Sequence, residues 1–404
     1  MNPFNVPIAM RGSPSRLLYQ NIGQWATKNI KIADYGIGLP KDSSQTIGDS
    51  LFSIIFNYKK SGYYEATIVN TPKTGITRYD GSIQIKNPKI HTRGEWIFLA
   101  YKGAFSKILS EYQGQELTIH INTSDNSSWA PALTSDLSHK KNTYNTPLIP
   151  TEYDARLKIG FKNLKYDSFD NLLKDEKRNE TQEVHRRLWK EKKEILYWRG
   201  GANGQKPLQK QNIVGPTFRE MICLKYADNP QYDLKITRNL KELKCETAQY
   251  ELITSEEVAN SEFAKYKYFP DLPGSVRGWG GIFRHLQGIL VLREESKTKV
   301  LAWDDFMKPW VDYIPVENNF NNLELILEWC KHNDEACMEI ALNGYFAAIR
   351  YIMHSEEIFF KSLVDFTKTT KSHNNLIHIR TGRNYEFIEK LISFQSAPGL
   401  ISSK

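Results

Sequence analysis

Cysteine is scarce: there are four in 404 residues, Cys223, Cys245, Cys330 and Cys337, none in a CxxC pair and none at metal-ligand spacing. That excludes a disulfide-stapled scaffold and a zinc ribbon, and free thiols in a reducing compartment are the simplest account. Cys330 and Cys337, seven apart, are expected to share one face of a helical region and pack as small apolar groups. No apolar run approaches the length of a membrane span, and the opening MNPFNVPIAMRGSPSR has no signal-peptide core. The cytoplasm is therefore the expected compartment, with peripheral contact at a membrane face left open. The chain has no Asp-x-Asp pattern, which disfavours transfer through a divalent cation held by such a pair. The absence of GxxxxGK[ST], HExxH and GxSxG weighs against P-loop, zinc-protease and α/β-hydrolase chemistry.

What is present is an ordinary globular composition, 40% hydrophobic and 25% charged, over a length that exceeds a single core, so two domains are expected. The net charge of +8 favours anionic partners. Its densest patch, Arg186, Arg187, Lys190, Lys192 and Lys193, is interleaved with Glu183, Glu191 and Glu194. That mixture reads as a solvated helix face with i,i+4 pairs rather than a nucleic-acid stripe, and no nucleic-acid partner is expected.

From Ser53 to Thr123 the pattern is β-rich, with strands predicted at Tyr63–Val69, Ser82–Ile85, Trp96–Tyr101 and Leu117–Asn122 and a helix at Ala104–Tyr112. The segment 122–150, rich in Ser, Thr, Asn and Pro, reads as a long functional loop. A charged helix from Asp170 to Glu194 follows. Strands and helices then alternate: strands at Glu194–Arg199, Lys265–Phe269, Ile289–Arg293 and Val311–Pro315, and helices at Thr217–Tyr226, Ser255–Ala259 and Gly280–Leu286. This alternation predicts a parallel sheet with covering helices. Helical periodicity returns at Asn322–Lys331, Asp334–His354 and Asn384–Phe394.

Two glycine-rich segments stand out. ILYWRGGANG, Ile195 to Gly204, stops an apolar run at Arg199 and opens into a turn through Gly200 and Gly201. Such a turn brings backbone N–H groups near an anion, and an arginine supplies a planar fork for phosphate. DLPGSVRGWGG, Asp271 to Gly281, follows an aromatic strand and precedes the helix carrying Arg284 and His285. Strand, glycine loop and helix point free N–H groups at a phosphate. Two readings of these glycines stand side by side, a diphosphate cradle and close helix-to-sheet packing. Glu294 sits at a strand's carboxyl end, where function and a surface ion pair are equal readings, and Trp310 and Tyr313 read as packing residues. Asp125, just past an apolar strand, reads either as a general base or as a turn former.

In order and spacing, YWRG (Tyr197 to Gly200), the KYKY strand with its glycine loop (Lys265 to Gly274), GILVL (Gly288 to Leu292) and KPWVDYIPV (Lys308 to Val316) resemble glycosyltransferase family 90. That family includes Rumi-like, capsule-associated and lipopolysaccharide-type enzymes. The likeness runs from about Leu117 to Leu363. It implies an α/β protein of GT-B architecture, two Rossmann-like domains facing across a cleft. Residues 1–170 would form the acceptor-side domain, 171–193 a connecting helix, and 194–370 the nucleotide-sugar domain. Residues 371–404 would be a helix packing back toward the first domain.

The resemblance also implies inverting transfer from a UDP-sugar, glucose or xylose, with no metal or other cofactor, to a hydroxyl of a glycan or lipid-linked glycan. INTSD, Ile121 to Asp125, lines up with the family's general-base stretch, and Arg199 with its diphosphate arginine. Gly200, Gly201, Asp271, Gly274, Ser275, Arg277, Gly280, Arg284 and Glu294 complete the implied donor site. Three departures are plain. Gly201 stands where relatives carry Ser or Thr, and Gly278 and Gly280 stand where they carry Ser-x-Arg, which leaves Arg277 as the substitute. The Tyr-Pro pair after the base is missing. A glycan- or nucleotide-binding protein that has lost activity is the alternative.

Overall fold

Short connections dictate the first sheet. In the computed structural model β1 (Leu51–Tyr58), β2 (Tyr64–Asn70) and β3 (Ile76–Tyr79) are joined by stretches 59–63 and 71–75, too short for a crossover. They pair antiparallel, with Phe52 opposite Asn70 and Tyr58 opposite Tyr64. β4 (Leu117–Asn122) pairs antiparallel on the other side of β1, and β5 (Leu133–Thr134) adds in parallel, giving the order β3-β2-β1-β4-β5. This corrects the expectation of two Rossmann-like sheets: hairpin-length connections make the first sheet mostly antiparallel. Residues described by the structure are 51–58, 64–70, 76–79, 93–111, 117–122, 133–134, 147–163, 175–202, 216–243, 247–274, 280–294 and 301–371. The strand predicted at Ser82–Ile85 and the helix predicted at Asn384–Phe394 lie outside them, and β5 interrupts the predicted loop 122–150.

The predicted strand at Trp96–Tyr101 is helical: α1 (Arg93–Ala100) is followed directly by α2 (Lys102–Glu111). Its aromatic content suggested a strand, but Ile97, Ala100, Tyr101, Ala104, Phe105 and Ile108 are all buried, and their three- and four-residue spacing is that of one helical face. α3 (Glu152–Asn163) is capped reciprocally, with Thr151 N donating to Asp154 Oδ2 at 2.7 Å and Asp154 N to Thr151 Oγ1 at 3.2 Å. The core of this unit includes Tyr101 stacked on Phe359 with ring centroids 4.6 Å apart, and Phe105 edge-on to Phe359 at 5.2 Å.

The second compact unit follows α4 (Asp175–Glu191). It contains β6 (Lys193–Gly201), α5 (Phe218–Lys225), β7 (Tyr232–Arg238), α6 (Thr247–Ile253), α7 (Asn260–Phe263), β8 (Tyr266–Pro270), α8 (Gly281–Leu286), β9 (Leu290–Glu294), β10 (Ile314–Val316) and α9 (Leu323–His332). All four strand pairings are parallel, in the order β10-β9-β8-β6-β7. β8 is buried throughout and β9 over all but its last residue, as strands covered on both faces must be. The parallel sheet was legible in the alternation of elements. β7 was not among the predicted strands, although its buried Tyr232, Leu234 and Ile236 alternate with half-buried Asp233, Lys235 and Thr237. Two short helices, α6 and α7, flank the place where one was predicted at Ser255–Ala259.

α10 (Asp334–Lys371) closes the described chain; residues 334–353 count with the second unit and 354–371 with the first. Cys330 and Cys337 lie on successive helices rather than one, and the Cys337 thiol lies 3.7 Å from the Cys330 carbonyl oxygen. Most of the basic patch is solvated, as predicted, but Lys192 is buried and donates to the backbone oxygens of Ala264 (2.6 Å) and Gln287 (3.2 Å). Among the described residues no helix is long and apolar enough to cross a membrane.

Candidate functional site

Counted along the chain, the strands of the parallel sheet lie in the order second, first, third, fourth, fifth. The chain leaves β6 toward one edge and β8 toward the other, so β6 and β8 form a topological switch point. In open α/β sheets a crevice opens there, beyond the carboxyl ends of the strands, and takes the ligand. Both glycine-rich segments end at this place: Arg199, Gly200 and Gly201 finish β6, and Asp271 to Gly274 follow β8.

A side chain that sequence reasoning missed ties the two segments together. Arg219 donates from Nη1 to Gly201 O (3.2 Å), from Nη2 to Leu272 O (2.9 Å) and from Nε to Pro273 O (3.1 Å). Its guanidinium lies 5.2 Å from the Trp198 ring centroid. α5 places it there because Thr217 caps the helix: Glu220 N donates to Thr217 Oγ1 at 3.2 Å and Thr217 N to Glu220 Oε2 at 3.1 Å. The signal was available as T-x-x-E opening an apolar run, with an arginine in the first turn after a glycine loop.

The glycines then divide between their two readings. A Cβ on Gly200 would lie 2.3 Å from the Trp198 ring, and one on Gly274 would lie 2.9 Å from Arg219 Nη2. Both are demanded by close packing around the Arg219 seat. Among the described residues nothing lies within 4 Å of a Cβ at Gly280, so none of them accounts for this glycine by packing. Gly281 backs onto the Asp271 carboxylate and Trp303, each 3.4 Å from where a Cβ would stand.

The other arginines are held by protein groups. Arg199 Nη2 lies 2.9 and 2.8 Å from the two carboxylate oxygens of Asp233, Nη1 donates to Asp233 O at 2.8 Å, and the guanidinium stacks on Tyr197 at 4.3 Å. Asp233 is the second residue of β7, so Arg199 is drawn back along the sheet, away from its carboxyl edge. Arg284 is buried, donates to Gln287 Oε1 (2.8 Å) and Asn260 Oδ1 (3.1 Å), and lies 3.4 Å from the Phe263 ring centroid. Burial pulls its pKa down to about 9. The expectation that Arg284 faces a phosphate is thereby corrected: α8 turns it into the apolar interior. Arg293 pairs with Asp304 and stacks on Trp303.

Glu294 stays at the carboxyl edge, where Oε1 accepts from Asn319 N at 2.8 Å and steadies a turn whose Asn319 and Phe320 both have positive φ. Asp271 is buried at the start of its loop, with its N–H donating to Leu292 O at 2.8 Å. Asp125, Ser275 and Arg277 lie outside the described residues. Among the described residues no group of three or more His, Cys, Asp or Glu could hold a metal ion.

Comparison with known proteins agrees with this geometry. Residues 162–368, just over half of the chain, match the family model for glycosyl transferase family 90. Protein O-glucosyltransferase 3 of Mus musculus is 33% identical over 90 residues, 22% of this chain and 17% of that protein. Protein O-glucosyltransferase 1 of Homo sapiens is 28% identical over 165 residues, 39% of this chain and 36% of that one. The uncharacterized protein 179R of Invertebrate iridescent virus 6 is 30% identical over 86 residues, 20% of this chain and 7% of that protein. The matched segment thus spans about a third or less of each of these relatives. A solved C-terminal domain of a glycosyl transferase group 1 family protein from Francisella tularensis overlaps 41% of this chain and 91% of its own at 16% identity and a TM-score of 0.27. With a parallel sheet bearing both glycine segments at its switch point and a family match over most of that sheet's unit, the chain belongs to glycosyl transferase family 90.

Proposed function

We propose that the chain is an inverting, metal-independent glycosyltransferase that moves glucose or xylose from a UDP-sugar to a hydroxyl of a glycan, free or lipid-linked. The observation that carries this reading is the switch point between β6 and β8, where Arg199 to Gly201 end one strand and Asp271 to Gly274 follow the other at the carboxyl edge of the parallel sheet. The names of the relatives, protein O-glucosyltransferases, support sugar transfer as the reaction class. In the GT-B architecture that the resemblance implies, the doubly wound second unit takes the nucleotide.

In this mechanism Asp125, three residues past β4, accepts the proton of the acceptor hydroxyl. The hydroxyl oxygen attacks the anomeric carbon, the bond to the diphosphate oxygen breaks, and UDP leaves with the electron pair. One displacement inverts an α-linked donor to a β-linked product. The leaving diphosphate is met by N–H groups of the glycine segments and by Arg277, since Arg199, Arg219, Arg284 and Arg293 are each engaged by protein groups. Arg199 then acts through Asp233 as a positioning residue of the β6 rim. Glu294 stands at the same edge for the nucleoside.

The test is a panel of UDP-glucose, UDP-xylose and UDP-galactose, read by thermal shift and by donor turnover. Asp125→Asn should keep UDP binding and lose transfer by about a hundredfold or more, the usual scale for a missing catalytic group. Equal turnover in that variant refutes the base, and no stabilisation by any of the UDP-sugars refutes the donor class. UDP-sugar binding without turnover of any donor would assign the chain to the inactive alternative.

A further inference from the structure

The KPWVDYIPV segment does not bury its tryptophan. Lys308 O accepts from Val311 N (3.2 Å) and Asp312 N (2.9 Å), Asp312 Oδ2 accepts from Lys308 N (2.8 Å), and Trp310 N donates to Tyr313 O (2.8 Å). This closes a rigid turn with Pro309 second and Trp310 third. Trp310 has φ 60, at the turn position where glycine is ordinarily found, and a bulky L-residue is disfavoured there. Tyr313 is buried as predicted, but Trp310 and Val311 are 48% and 45% exposed, so Trp310 packs with only part of its surface. The turn delays β10 to Ile314. Its backbone hydrogen bonds need no indole, and an unfavourable conformation that presents an exposed side chain points to use of that side chain.

The indole has a companion. Trp329 of α9 meets it edge to face, with centroids 5.4 Å apart at 80°. Exposed Lys308 precedes the turn, and exposed Glu328 and His332 flank Trp329 on the helix. All of this lies at the amino edge of the sheet. The turn immediately precedes β10, and Lys331 of α9 donates to Gln231, the residue before β7, at 2.8 Å. The crevice of the candidate site is at the opposite, carboxyl edge, so the tryptophan pair is separate from it.

Trp310, Val311 and Trp329, with exposed Leu325 one turn before Trp329 on α9, are four residues and present far less surface than the roughly 800 Å² per partner of a stable protein interface. The charges at the rim are mixed, and two of them are already paired as Glu328 with Lys331, which disfavours an anionic surface as the occupant. A saccharide fits both features: one apolar ring face for the indole, and hydroxyls for donors and acceptors around it. We propose that Trp310 and Trp329 form a second saccharide-binding subsite, which holds part of the acceptor glycan away from the point of transfer. It rests on the reading of this chain as one that modifies glycans.

The experiment uses the full chain as wild type, Trp310→Gly and Trp310→Tyr on an array of printed oligosaccharides, with UDP binding by calorimetry, thermal melting and sedimentation velocity on the same preparations. Wild type should retain at least one oligosaccharide class. Trp310→Tyr should stay close to it, while Trp310→Gly should bind about tenfold or more weakly, the scale of one lost stacking contact. Because glycine suits the turn, that variant should melt no lower than wild type and should bind UDP equally. No retention by wild type overturns the subsite, as does equal retention by Trp310→Gly. A changed sedimentation coefficient with unchanged retention also overturns it and makes the patch a contact between copies. If UDP neither binds nor is released but Trp310→Gly still loses the oligosaccharide, the transferase reading has failed and the subsite stands.

Discussion

Arg199 at the end of β6 is gripped by Asp233 on β7, with Nη2 at 2.9 and 2.8 Å from the two carboxylate oxygens and Nη1 at 2.8 Å from the Asp233 carbonyl oxygen. Its arginine side chain is 12% exposed and that of Asp233 33%, so solvent screens the pair only in part. Arg199→Ala and Asp233→Ala should each cost about 1–2 kcal/mol, and the double variant should cost little more than either, a coupling on the order of 1 kcal/mol. Urea unfolding of the four proteins measures it. Additive losses would mean that the contact is not formed in solution.

Arg219 should be the more sensitive residue for the ligand. Arg219→Ala removes three hydrogen bonds that join Gly201 to Leu272 and Pro273 across the crevice. UDP affinity should fall by about tenfold or more even though no contact between Arg219 and the nucleotide is invoked, because the rim loses its shape. Arg219→Lys should not rescue it, since an ammonium cannot span three carbonyl oxygens with a planar fork. Calorimetry with UDP showing wild-type affinity in either variant would remove Arg219 from the site.

Glycine substitutions separate packing from open space. A Cβ on Gly344 would lie 2.4 Å from Asp312 O and 2.5 Å from His285 Nδ1, so Gly344→Ala should cost about 2–3 kcal/mol through forced separation of α10 from the neighbouring segments. Gly280→Ala meets nothing within 4 Å among the described residues and should change stability by less than about 0.5 kcal/mol. Melting temperatures of the two variants give the contrast directly. Equal effects would contradict the packing described around His285.

Acid should weaken the second unit through two interior histidines. Burial lowers the pKa of His185 to about 3, assisted by the charge of Lys192, and burial with the nearby Arg293 does the same for His285. In an unfolded chain both titrate near 6.5, so between pH 6.5 and 3 the unfolded state binds more protons and stability falls as pH falls. Each histidine should cost about 2 kcal/mol at pH 5 relative to neutral pH. Neither ring nitrogen of His285 has a hydrogen-bond partner among the described residues, so His285→Leu should flatten the acid limb. Urea midpoints at pH 7.5 and 5 test this, and an equal acid loss in the variant would show that His285 is not buried neutral.

The helical misreading at Trp96 to Tyr101 shows where periodicity misleads. Six residues rich in aromatics satisfy a strand template, and only the continuation of the apolar face through Ala104, Phe105 and Ile108 reveals the helix. β7 was legible in principle and was overlooked, since Tyr232, Leu234 and Ile236 alternate strictly with Asp233, Lys235 and Thr237.

Local sequence was enough to specify the parallel αβ alternation and the ordered motifs that mark the family, because each depends on residues close together in the chain. It could not say where the guanidinium groups go. Arg199, Arg219 and Arg284 all sit beside glycine segments or at the start of helices, yet Asp233 captures the first, three carbonyl oxygens the second, and an apolar interior with Asn260 and Gln287 the third. Except for Gln287, three residues from Arg284, those partners are remote in sequence and come within reach only through the tertiary fold. Tertiary packing also decided that Trp310 stands in solvent, since a rigid turn and a helix end had to coincide at the amino edge of the sheet.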